Sequence, residues 1–360
     1  MIASGDDLRI ERWSLTRLDL PTTRPWGDAH VAYDGMSLAA LELECRSGLR
    51  GLGFVESAER QDRLADSFAR TVAPGLIGQH PLRVLNTQRR PRGGNIGPQP
   101  FAAGVDQALW DLAAKAAGLP LYRLLGGDSG RVPAYLSGLE FRLPLEDACA
   151  FFQRGRELGF RAFKCKVGQP DLVRDIERLL AFQQIVGPGG RLLADANESW
   201  SPKEAVARLH AFADAGIELF WIEDPCLRDD IEGLARVSRE APFVRVNAGE
   251  YVGLRGKWRL LQGGAVDILN INDHLSEGLI AARLAAEHGV PVSVGNTPLD
   301  LGVHLAAALP EVEMMEWSML GWDVLAEEPI TQRDGFAIAP ERPGHGIVLS
   351  AQARREFATS

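Results

Sequence analysis

The stretch "RAFKCKVGQPDLVRDIERLLAFQQIVGPGGRLLADAN", residues 161–197, decides the fold class of this chain. Two short segments that read as β-strands, "RAFKCKVG" and "RLLADAN", enclose one helix-like segment, "DLVRDIERLLAFQQIV". Parallel strands need a long crossover, which is usually a helix, so this order predicts a parallel β/α unit. The first strand also raises a chemical question, because its two lysines, two positions apart, project to the same face.

The strand–helix alternation begins at about residue 131 and continues well beyond this unit. It gives eight short segments: "VPAYLSGL", "RAFKCKVG", "RLLADAN", "LFWIEDP", "FVRVNAGE", "AVDILNIN", "VPVSVGN" and "VEMMEWSM". Eight β/α units predict a closed α/β barrel of the TIM type. A doubly wound open sheet is the alternative, but the glycine-rich phosphate loop typical of that fold is missing.

The first 130 residues have a different pattern and predict a separate α+β domain. "LRIERWSLTRLDLP" and "SLAALELECRSGLRGLGF" read as antiparallel strands, and "QPFAAGVDQALWDLAAKAAG" reads as an amphipathic helix that ends at Gly118. We therefore predict an α+β domain over residues 1–130 and a barrel over residues 131–325. Residues 326–360 return to strand-and-turn character, and we expect them to rejoin the first domain.

Composition and charge narrow the class of protein. The 360 residues are 46% hydrophobic and 24% charged, as in a globular protein, and no apolar run has membrane-spanning length. The net charge of -9 argues against nucleic acid as the main partner, although a local cation could still attract an anionic small molecule. The four cysteines have no CxxC spacing and the N-terminus has no signal-peptide pattern, so we expect a cytoplasmic protein without a membrane partner.

The chemistry of a β/α barrel is built at the carboxyl ends of its strands. The polar residues at that position in the predicted strands are Lys164, Lys166, Asp195, Asn197, Glu223, Asp224, Glu250, Asn272, Asn296 and Glu316. The third to the fifth strands therefore end in carboxylates, and such a cluster needs a cation to offset its repulsion. Oxygen ligands of this kind select Mg²⁺ or Mn²⁺ over zinc.

Each of these residues also has an ordinary structural explanation. One acid after a strand is commonly a helix N-cap, Glu223-Asp224-Pro225 alone could form a turn, and two lysines alone could lie on a solvated edge. Capping does not jointly explain three acidic strand ends with paired lysines on the strand before them, so we predict a metal site. Beside a divalent cation and beside each other, ammonium groups are disfavoured and their pKa values fall. Lys166 could then act as a general base while Lys164 binds an anionic oxygen.

The chain resembles the mandelate racemase subgroup of the enolase superfamily along nearly its whole length. The matching motifs are "KCK", "DAN", "WIEDP" and "AGEY" on the second to fifth strands, and "GVDQALWDLAAKAAGLPLYRLLGG" at the end of the first domain. The resemblance implies a modified (β/α)₇β barrel with an N-terminal α+β capping domain that supplies specificity loops. It also implies a homo-oligomer, either a dimer or an octamer.

The same resemblance implies roles for the residues at the strand ends. It implies one Mg²⁺ per subunit, held by three carboxylates: Asp195, Glu223 and Glu250. It makes Lys166 the acid/base that acts through an ene-diolate intermediate, and Lys164 the cation that neutralises one oxygen of the substrate carboxylate. Glu316 matches an acid that hydrogen-bonds the other carboxylate oxygen.

The chain departs from the family pattern at the sixth and seventh strands. Racemases of this subgroup carry an aspartate and a histidine there as a second base, whereas this chain has Asn272 and, allowing one inserted residue, Asn296. The lysine that cycloisomerases and epimerases use at the sixth strand is absent too. Asp273 follows Asn272, but adjacent strand residues point to opposite sides. His304 lies one helix further on and is expected to be a packed or capping histidine.

The pattern therefore predicts one acid/base face. Racemisation needs protons handled on both faces of a planar intermediate, whereas loss of water by β-elimination needs only the lysine face. Together with Asn197, the amides of Asn272 and Asn296 would suit a hydroxyl-rich carboxylate. We predict an acid-sugar dehydratase that gives a 2-keto-3-deoxy acid. A racemase, epimerase or cycloisomerase is the alternative within the family, and a barrel that binds Mg²⁺ and a carboxylate without turnover is the alternative of another class.

Specificity should come from the segment "RPWGDAHVAYDG", residues 24–35, which resembles the mobile lid of the family. Trp26 and His30 are the candidates for substrate contact in this segment. His30 could also be the acid that protonates the leaving hydroxyl, and packing within the lid is its ordinary explanation.

Overall fold

The N-terminal part of the chain is built on an antiparallel meander. The computed structural model describes residues 7–57, 59–87, 101–272 and 274–359. The meander comprises β1 (Ile10–Gly27), β2 (Ala32–Cys45) and β3 (Arg50–Glu56), with β2 in the middle. Five helices follow: α1 (Gln61–Thr71), α2 (Ala73–Leu76), α3 (Pro81–Thr87), α4 (Ala102–Ala117) and α5 (Leu121–Leu124).

Helix α4 lies directly on β3 because small residues let the two backbones approach. A Cβ atom placed on Gly53 would stand 1.9 Å from the carbonyl oxygen of Gly104, and a Cβ on Gly51 would stand 2.2 Å from that of Ala108. Side chains at these points would push the helix off the sheet. The predicted helix in this region and its end at Gly118, which has a left-handed φ of 68°, are confirmed.

A closed barrel of eight parallel strands follows. Its strands are β4 (Arg131–Leu136), β5 (Ala162–Lys166), β6 (Arg191–Asp195), β7 (Leu219–Glu223), β8 (Arg245–Ala248), β9 (Ile268–Ile271), β10 (Val292–Val294) and β11 (Val312–Trp317). Each strand pairs in parallel with the next, and β11 pairs in parallel with β4. The predicted barrel is therefore confirmed, and the open sheet is excluded because the first and last strands are bonded to each other.

Seven helices connect the barrel strands in the described part of the chain. They are α6 (Leu145–Glu157), α7 (Leu172–Val186), α8 (Pro202–Asp214), α9 (Ile231–Glu240), α10 (Leu254–Gln262), α11 (Leu275–Glu287) and α12 (Val303–Ala308). The eighth strand is followed by a short 3₁₀ turn, Trp322–Leu325, and by strands β12 (Thr331–Arg333) and β13 (Phe336–Ile338). This is the modified (β/α)₇β architecture with an N-terminal capping domain.

The C-terminal segment connects the two parts of the molecule. Strand β13 pairs antiparallel with the first half of β4, and the final strand β14 (Ala358–Thr359) pairs antiparallel with β1. Residues 326–359 therefore contact the barrel as well as the meander. None of the helices in the described ranges has both the length and the apolar character needed to cross a bilayer.

A buried histidine ties the barrel to the N-terminal helices. His304 in α12 is fully buried; its Nδ1 accepts from the Tyr122 amide at 3.3 Å and its Nε2 donates to the His345 carbonyl at 2.9 Å. The ring of His345 in turn donates to the carbonyl of Leu52 on β3 at 2.8 Å. The packed role expected for His304 is thus confirmed, and burial lowers the pKa of its ring to about 3.

Candidate active site

Two buried lysines on β5 stand at the centre of the barrel mouth. Lys164 and Lys166 are only 2% and 6% exposed, and both ammonium groups reach carboxylates of neighbouring strands. Lys164 Nζ lies 3.0 Å from Glu223 Oε2 and 2.9 Å from Glu316 Oε2. Lys166 Nζ lies 2.5 Å from Asp195 Oδ2. The lysine pair is therefore interior and shares one face.

Strand register places the acidic strand ends at one level. Lys166 pairs with Asp195, and Asp195 pairs with Glu223 across successive parallel strands. Glu250 follows β8 and belongs to the same group, because its pKa responds to both lysines and to Asp195. Burial, together with the charges of neighbouring carboxylates, raises the pKa of Glu250 to about 7. Asp195 and Glu223 therefore contact the lysine pair directly, and Glu250 lies within range of the same charges.

The donor set suits a hard divalent cation. Asp195, Glu223 and Glu250 offer carboxylate oxygens alone, which is the ligand chemistry that Mg²⁺ prefers. Among the described residues, no three acidic, histidine or cysteine side chains converge at ligand distance, and the two ammonium groups contact the carboxylates instead. A cation at these oxygens would take over the charge compensation that the lysines now provide.

The protonation of the lysines follows from these contacts. Burial alone lowers the pKa of Lys166, but the charges of Asp195, Glu316 and Glu223 outweigh it and the pKa is raised. The same balance raises the pKa of Lys164. The lower lysine pKa values expected from the sequence assumed a divalent cation beside the ammonium groups. The protein groups by themselves raise both pKa values instead.

Glu316 and Tyr135 complete the lysine side of the mouth. The hydroxyl of Tyr135 on β4 donates to Glu316 Oε2 at 3.1 Å. Lys164 donates to the same oxygen, so Glu316 stays ionised and its pKa is lowered despite burial. Glu316 lies where the sequence placed it, within reach of the ligand that Lys164 would hold.

Three asparagines stand at the strand ends, in two different situations. Asn272, just beyond β9, donates from Nδ2 to the backbone carbonyl of Glu250 at 2.8 Å and so secures that loop. Asn197 and Asn296 each carry a buried side-chain oxygen that accepts no hydrogen bond from the described residues. Asn197 also has a left-handed φ of 45°, a conformation that asparagine adopts more readily than most residues. Asp273 lies outside the described residues.

The segment predicted as a lid is a hairpin tip rather than a long loop. Residues 24–27 end β1 and residues 32–35 begin β2, because Trp26 pairs with Tyr33 and Gly27 pairs with Ala32. The tip touches the barrel mouth, where the Gly27 amide donates to the Leu139 carbonyl at 2.9 Å. A Cβ on Gly27 would lie 2.4 Å from the Val31 carbonyl oxygen, so the tight tip needs glycine there.

The two lid candidates take different positions. His30 is exposed, and its Nε2 lies 2.7 Å from the Asn197 carbonyl and 3.3 Å from Ser199 Oγ, in the loop that follows Asp195. Trp26 is 1% exposed and belongs to the hydrophobic core. This burial favours packing for Trp26 over the predicted substrate contact, whereas His30 remains a candidate at the mouth.

Two residues near the site were missed by sequence reasoning. Asn270 on β9 donates from Nδ2 to Glu223 Oε1 at 3.1 Å, and its position two residues before Asn272 on one strand face could have identified it. Tyr33 at the hairpin tip feels the charges of Lys166 and Glu250, although burial is the main cause of its raised pKa. No local pattern in the sequence indicates that contact.

Comparison with protein families gives matches to both parts of the chain. Residues 147–353 match the model for enolase C-terminal domain-like proteins. Residues 13–126 match the N-terminal domain model of mandelate racemase and muconate lactonizing enzyme. The two matches lie in the barrel and the meander domain respectively.

The similar curated proteins are enzymes with three kinds of reaction. The 3,6-anhydro-alpha-L-galactonate cycloisomerase of Streptomyces coelicolor is 31% identical and covers 94% of this chain and 96% of its own. The L-talarate/galactarate dehydratase of Salmonella typhimurium is 31% identical over 98% of this chain and 91% of its own. The L-Ala-D/L-Glu epimerase of Bacillus subtilis is 28% identical over 97% and 99%.

Solved structures agree with the fold over the whole chain. A Mesorhizobium loti protein superposes with a TM-score of 0.93 at 42% identity, covering 98% of this chain and 95% of that one. The Salmonella typhimurium L-talarate/galactarate dehydratase, liganded with Mg and L-lyxarohydroxamate, superposes with a TM-score of 0.85 at 30% identity, covering 98% and 93%.

Proposed function

This chain belongs to the mandelate racemase subgroup of the enolase superfamily, and from that membership we propose that it is a magnesium-dependent lyase. The substrate is an acid sugar, and the product is a 2-keto-3-deoxy acid formed by loss of water. The dehydratase among its relatives, which acts on acid sugars, supports this choice.

The observation that carries the proposal is the asymmetry of the barrel mouth. The β5 side presents Lys164 and Lys166, whereas Asn272 and Asn296 follow β9 and β10 across the barrel. An amide cannot exchange a proton with carbon, so a second base does not come from these two positions. The unpartnered oxygens of Asn197 and Asn296 would accept hydrogen bonds from substrate hydroxyls.

Each residue of the lysine side has a proposed role. Lys164 binds one oxygen of the substrate carboxylate, and Glu316 contacts the other. Once a cation offsets the carboxylates that raise its pKa, Lys166 is a neutral amine that takes the α-proton and leaves an ene-diolate. Asp195, Glu223 and Glu250 hold one Mg²⁺ per subunit. When bound, this ion supplies a positive charge that offsets the three carboxylates and stabilises the developing anion.

The test uses the acid sugars on which the relatives act. Galactarate and L-talarate, which name the Salmonella typhimurium relative, and arabinonate, which names a dehydratase relative of Saccharolobus solfataricus, are incubated with the protein and Mg²⁺ in D₂O. 2-Keto acid and α-deuterium are then detected. Lys166→Met should abolish both signals with little loss of ligand binding, because the lysine acts mainly in the transition state. Lys164→Met should weaken binding as well, since it contacts the ground-state carboxylate.

The alternative outcomes are distinct. Recovery of α-epimerised, deuterium-labelled substrate would require a second base and would move the assignment to an epimerase, in line with the Bacillus subtilis relative. Binding of a carboxylate with neither signal would identify a barrel that binds without turnover. We also propose that the protein is cytoplasmic and that it forms a homo-oligomer, either a dimer or an octamer. Light scattering distinguishes such an oligomer from a monomer.

A further inference from the structure

The loop after β10 carries an acid that has no role in the site described above. Leu299 and Asp300 form part of a short 3₁₀ turn, and both have left-handed φ values, 54° and 57°. The turn is held by the Asp300 amide, which donates to the Thr297 carbonyl at 3.1 Å, and by buried side chains on either side of Asp300. Asp300 itself is partly exposed. It is therefore held at the carboxyl end of the seventh barrel strand.

The surroundings of Asp300 keep its carboxyl group neutral. The charged groups that act on it are Glu316 on β11 and Asp323 on the turn Trp322–Leu325, and both are acidic. Among the described residues, no cationic group offsets their effect on the pKa of Asp300. Burial, reinforced by these two charges, raises the pKa of Asp300 to about 8. The group is a carboxylic acid at neutral pH and can donate a proton.

A second observation indicates that a ligand binds beside this loop. Ser318 is 2% exposed, and its Oγ has no hydrogen-bond partner among the described residues. It stands two residues beyond Glu316, just after the end of β11. Asn296, at the start of the Asp300 loop, also carries an unpartnered buried oxygen. Buried polar atoms without a partner are costly, and hydroxyl groups of a ligand would satisfy both.

We infer that Asp300 is the acid that protonates the departing hydroxyl group, which Ser318 and Asn296 hold in place. The inference rests on the proposed dehydration and extends it. It replaces the expectation that elimination needs only the lysine face, because Asp300 lies in the loop after the seventh strand whereas Lys166 ends the second. The elimination is therefore anti.

The step balances in protons and electron pairs. The amine of Lys166 takes the α-proton, and the electron pair of that C–H bond forms the ene-diolate. This pair then makes the C2–C3 double bond as the C3–O bond breaks. The leaving oxygen takes the proton of the Asp300 carboxyl group and departs as water. Lys166 becomes an ammonium, Asp300 a carboxylate, and the enol product becomes the 2-keto-3-deoxy acid by moving its hydroxyl proton to C3.

The test is Asp300→Asn, with Asp323→Asn as the matched control. Asparagine tolerates the left-handed backbone, so the fold should persist. For an acid sugar dehydrated by the wild type, Asp300→Asn should lower 2-keto acid formation by about 10²–10⁴-fold. Exchange of the α-hydrogen in D₂O, which needs only Lys166, should persist with retained configuration. Asp323→Asn should keep dehydration, but the fall of its rate at alkaline pH should begin at a lower pH. The reason is that Asp323 carries one of the two charges that raise the pKa of Asp300.

A measurement without substrate tests the protonation directly. The carboxyl group of Asp300 stays neutral in the folded state up to a pH of about 8, whereas it ionises near pH 4 when unfolded. The wild type should therefore lose stability relative to Asp300→Asn between pH 4 and 8, and the difference should level off above that. Urea unfolding of both proteins across this range measures it.

The outcomes separate this inference from the proposed function. Dehydration by Asp300→Asn at the wild-type rate would overturn the role of Asp300 and leave the dehydratase intact. A wild type that neither exchanges the α-hydrogen nor dehydrates any of the three acid sugars would remove both.

Discussion

At the scale of single residues, the site depends on charge balance in a buried space. Lys164 is surrounded by Glu223, Glu316 and Asp195, with nitrogen–oxygen distances of 3.0, 2.9 and 3.5 Å. Removing one partner of such a group leaves an uncompensated buried charge, which costs more than the pair contributes. The cluster is therefore sensitive to every substitution that changes its total charge.

Glu250→Gln and Asp224→Asn form a matched pair that tests the metal ligands. Glu250→Gln removes one of three anionic ligands, so the affinity for Mg²⁺ should fall more than about 100-fold. Asp224 is a neighbouring acid outside the assigned ligand set, and burial together with the charges of Asp195 and Glu250 raises its pKa. Asp224→Asn should therefore bind Mg²⁺ nearly as the wild type does. Calorimetric titration with Mg²⁺ measures both, and equal losses would contradict the assigned ligand set.

At the scale of elements, two close approaches position the site. The β1–β2 hairpin extends beyond the part of β2 that pairs with β3, and its tip lies on the barrel mouth. There it meets the loops that follow β4 and β6. The meander itself is fixed by α4, whose backbone lies against β3 at Gly53. Displacement of α4 would therefore disturb the sheet that carries the hairpin.

Gly53→Ala tests this contact. The added methyl group would meet the Gly104 carbonyl at 1.9 Å, so we expect a loss of about 1–3 kcal/mol in the free energy of unfolding. Gly75→Ala in α2 is the control, because a Cβ there has no neighbour within 4 Å and alanine favours a helix. Thermal unfolding of both variants checks the prediction, and an unchanged midpoint for Gly53→Ala would show that the helix can shift freely.

At the scale of the whole molecule, buried histidines join the barrel, the capping domain and the C-terminal segment. His304 contacts Tyr122 of α5 and the carbonyl of His345, and it makes these contacts as a neutral ring. Its position requires three distant parts of the chain to fold together. Stability at acid pH should therefore depend on the cost of keeping this ring neutral.

The pH dependence has a definite sign. The pKa of His304 is about 3 in the folded state and near 6.5 in the unfolded chain, so protonation favours unfolding below pH 6.5. This residue should cost about 1.4 kcal/mol of stability per pH unit from pH 6.5 down to about 3. In His304→Asn, the free energy of unfolding in urea should differ less between pH 7.5 and pH 5.0 than in the wild type. An equal difference in both proteins would assign the acid sensitivity to other groups.

Sequence alone was sufficient for the barrel and for the residues at its strand ends. Strand alternation is a local property, and the rule that barrel chemistry stands at the carboxyl ends converts each strand into a position at the mouth. This rule located two lysines, Lys164 and Lys166, and three acids, Asp195, Glu223 and Glu316. In the structure, a carboxylate oxygen of each acid lies within 3.5 Å of a lysine Nζ.

Only the tertiary structure decided the contacts between elements distant in the chain. The burial of Trp26, the hydrogen bond from Asn270 to Glu223 and the field of Glu316 on Asp300 depend on packing and register between strands. Local periodicity carries no information about such distances. The direction of the lysine pKa shifts was decided in the same way, because it is a balance between burial and several charges whose separations exist only in the folded chain.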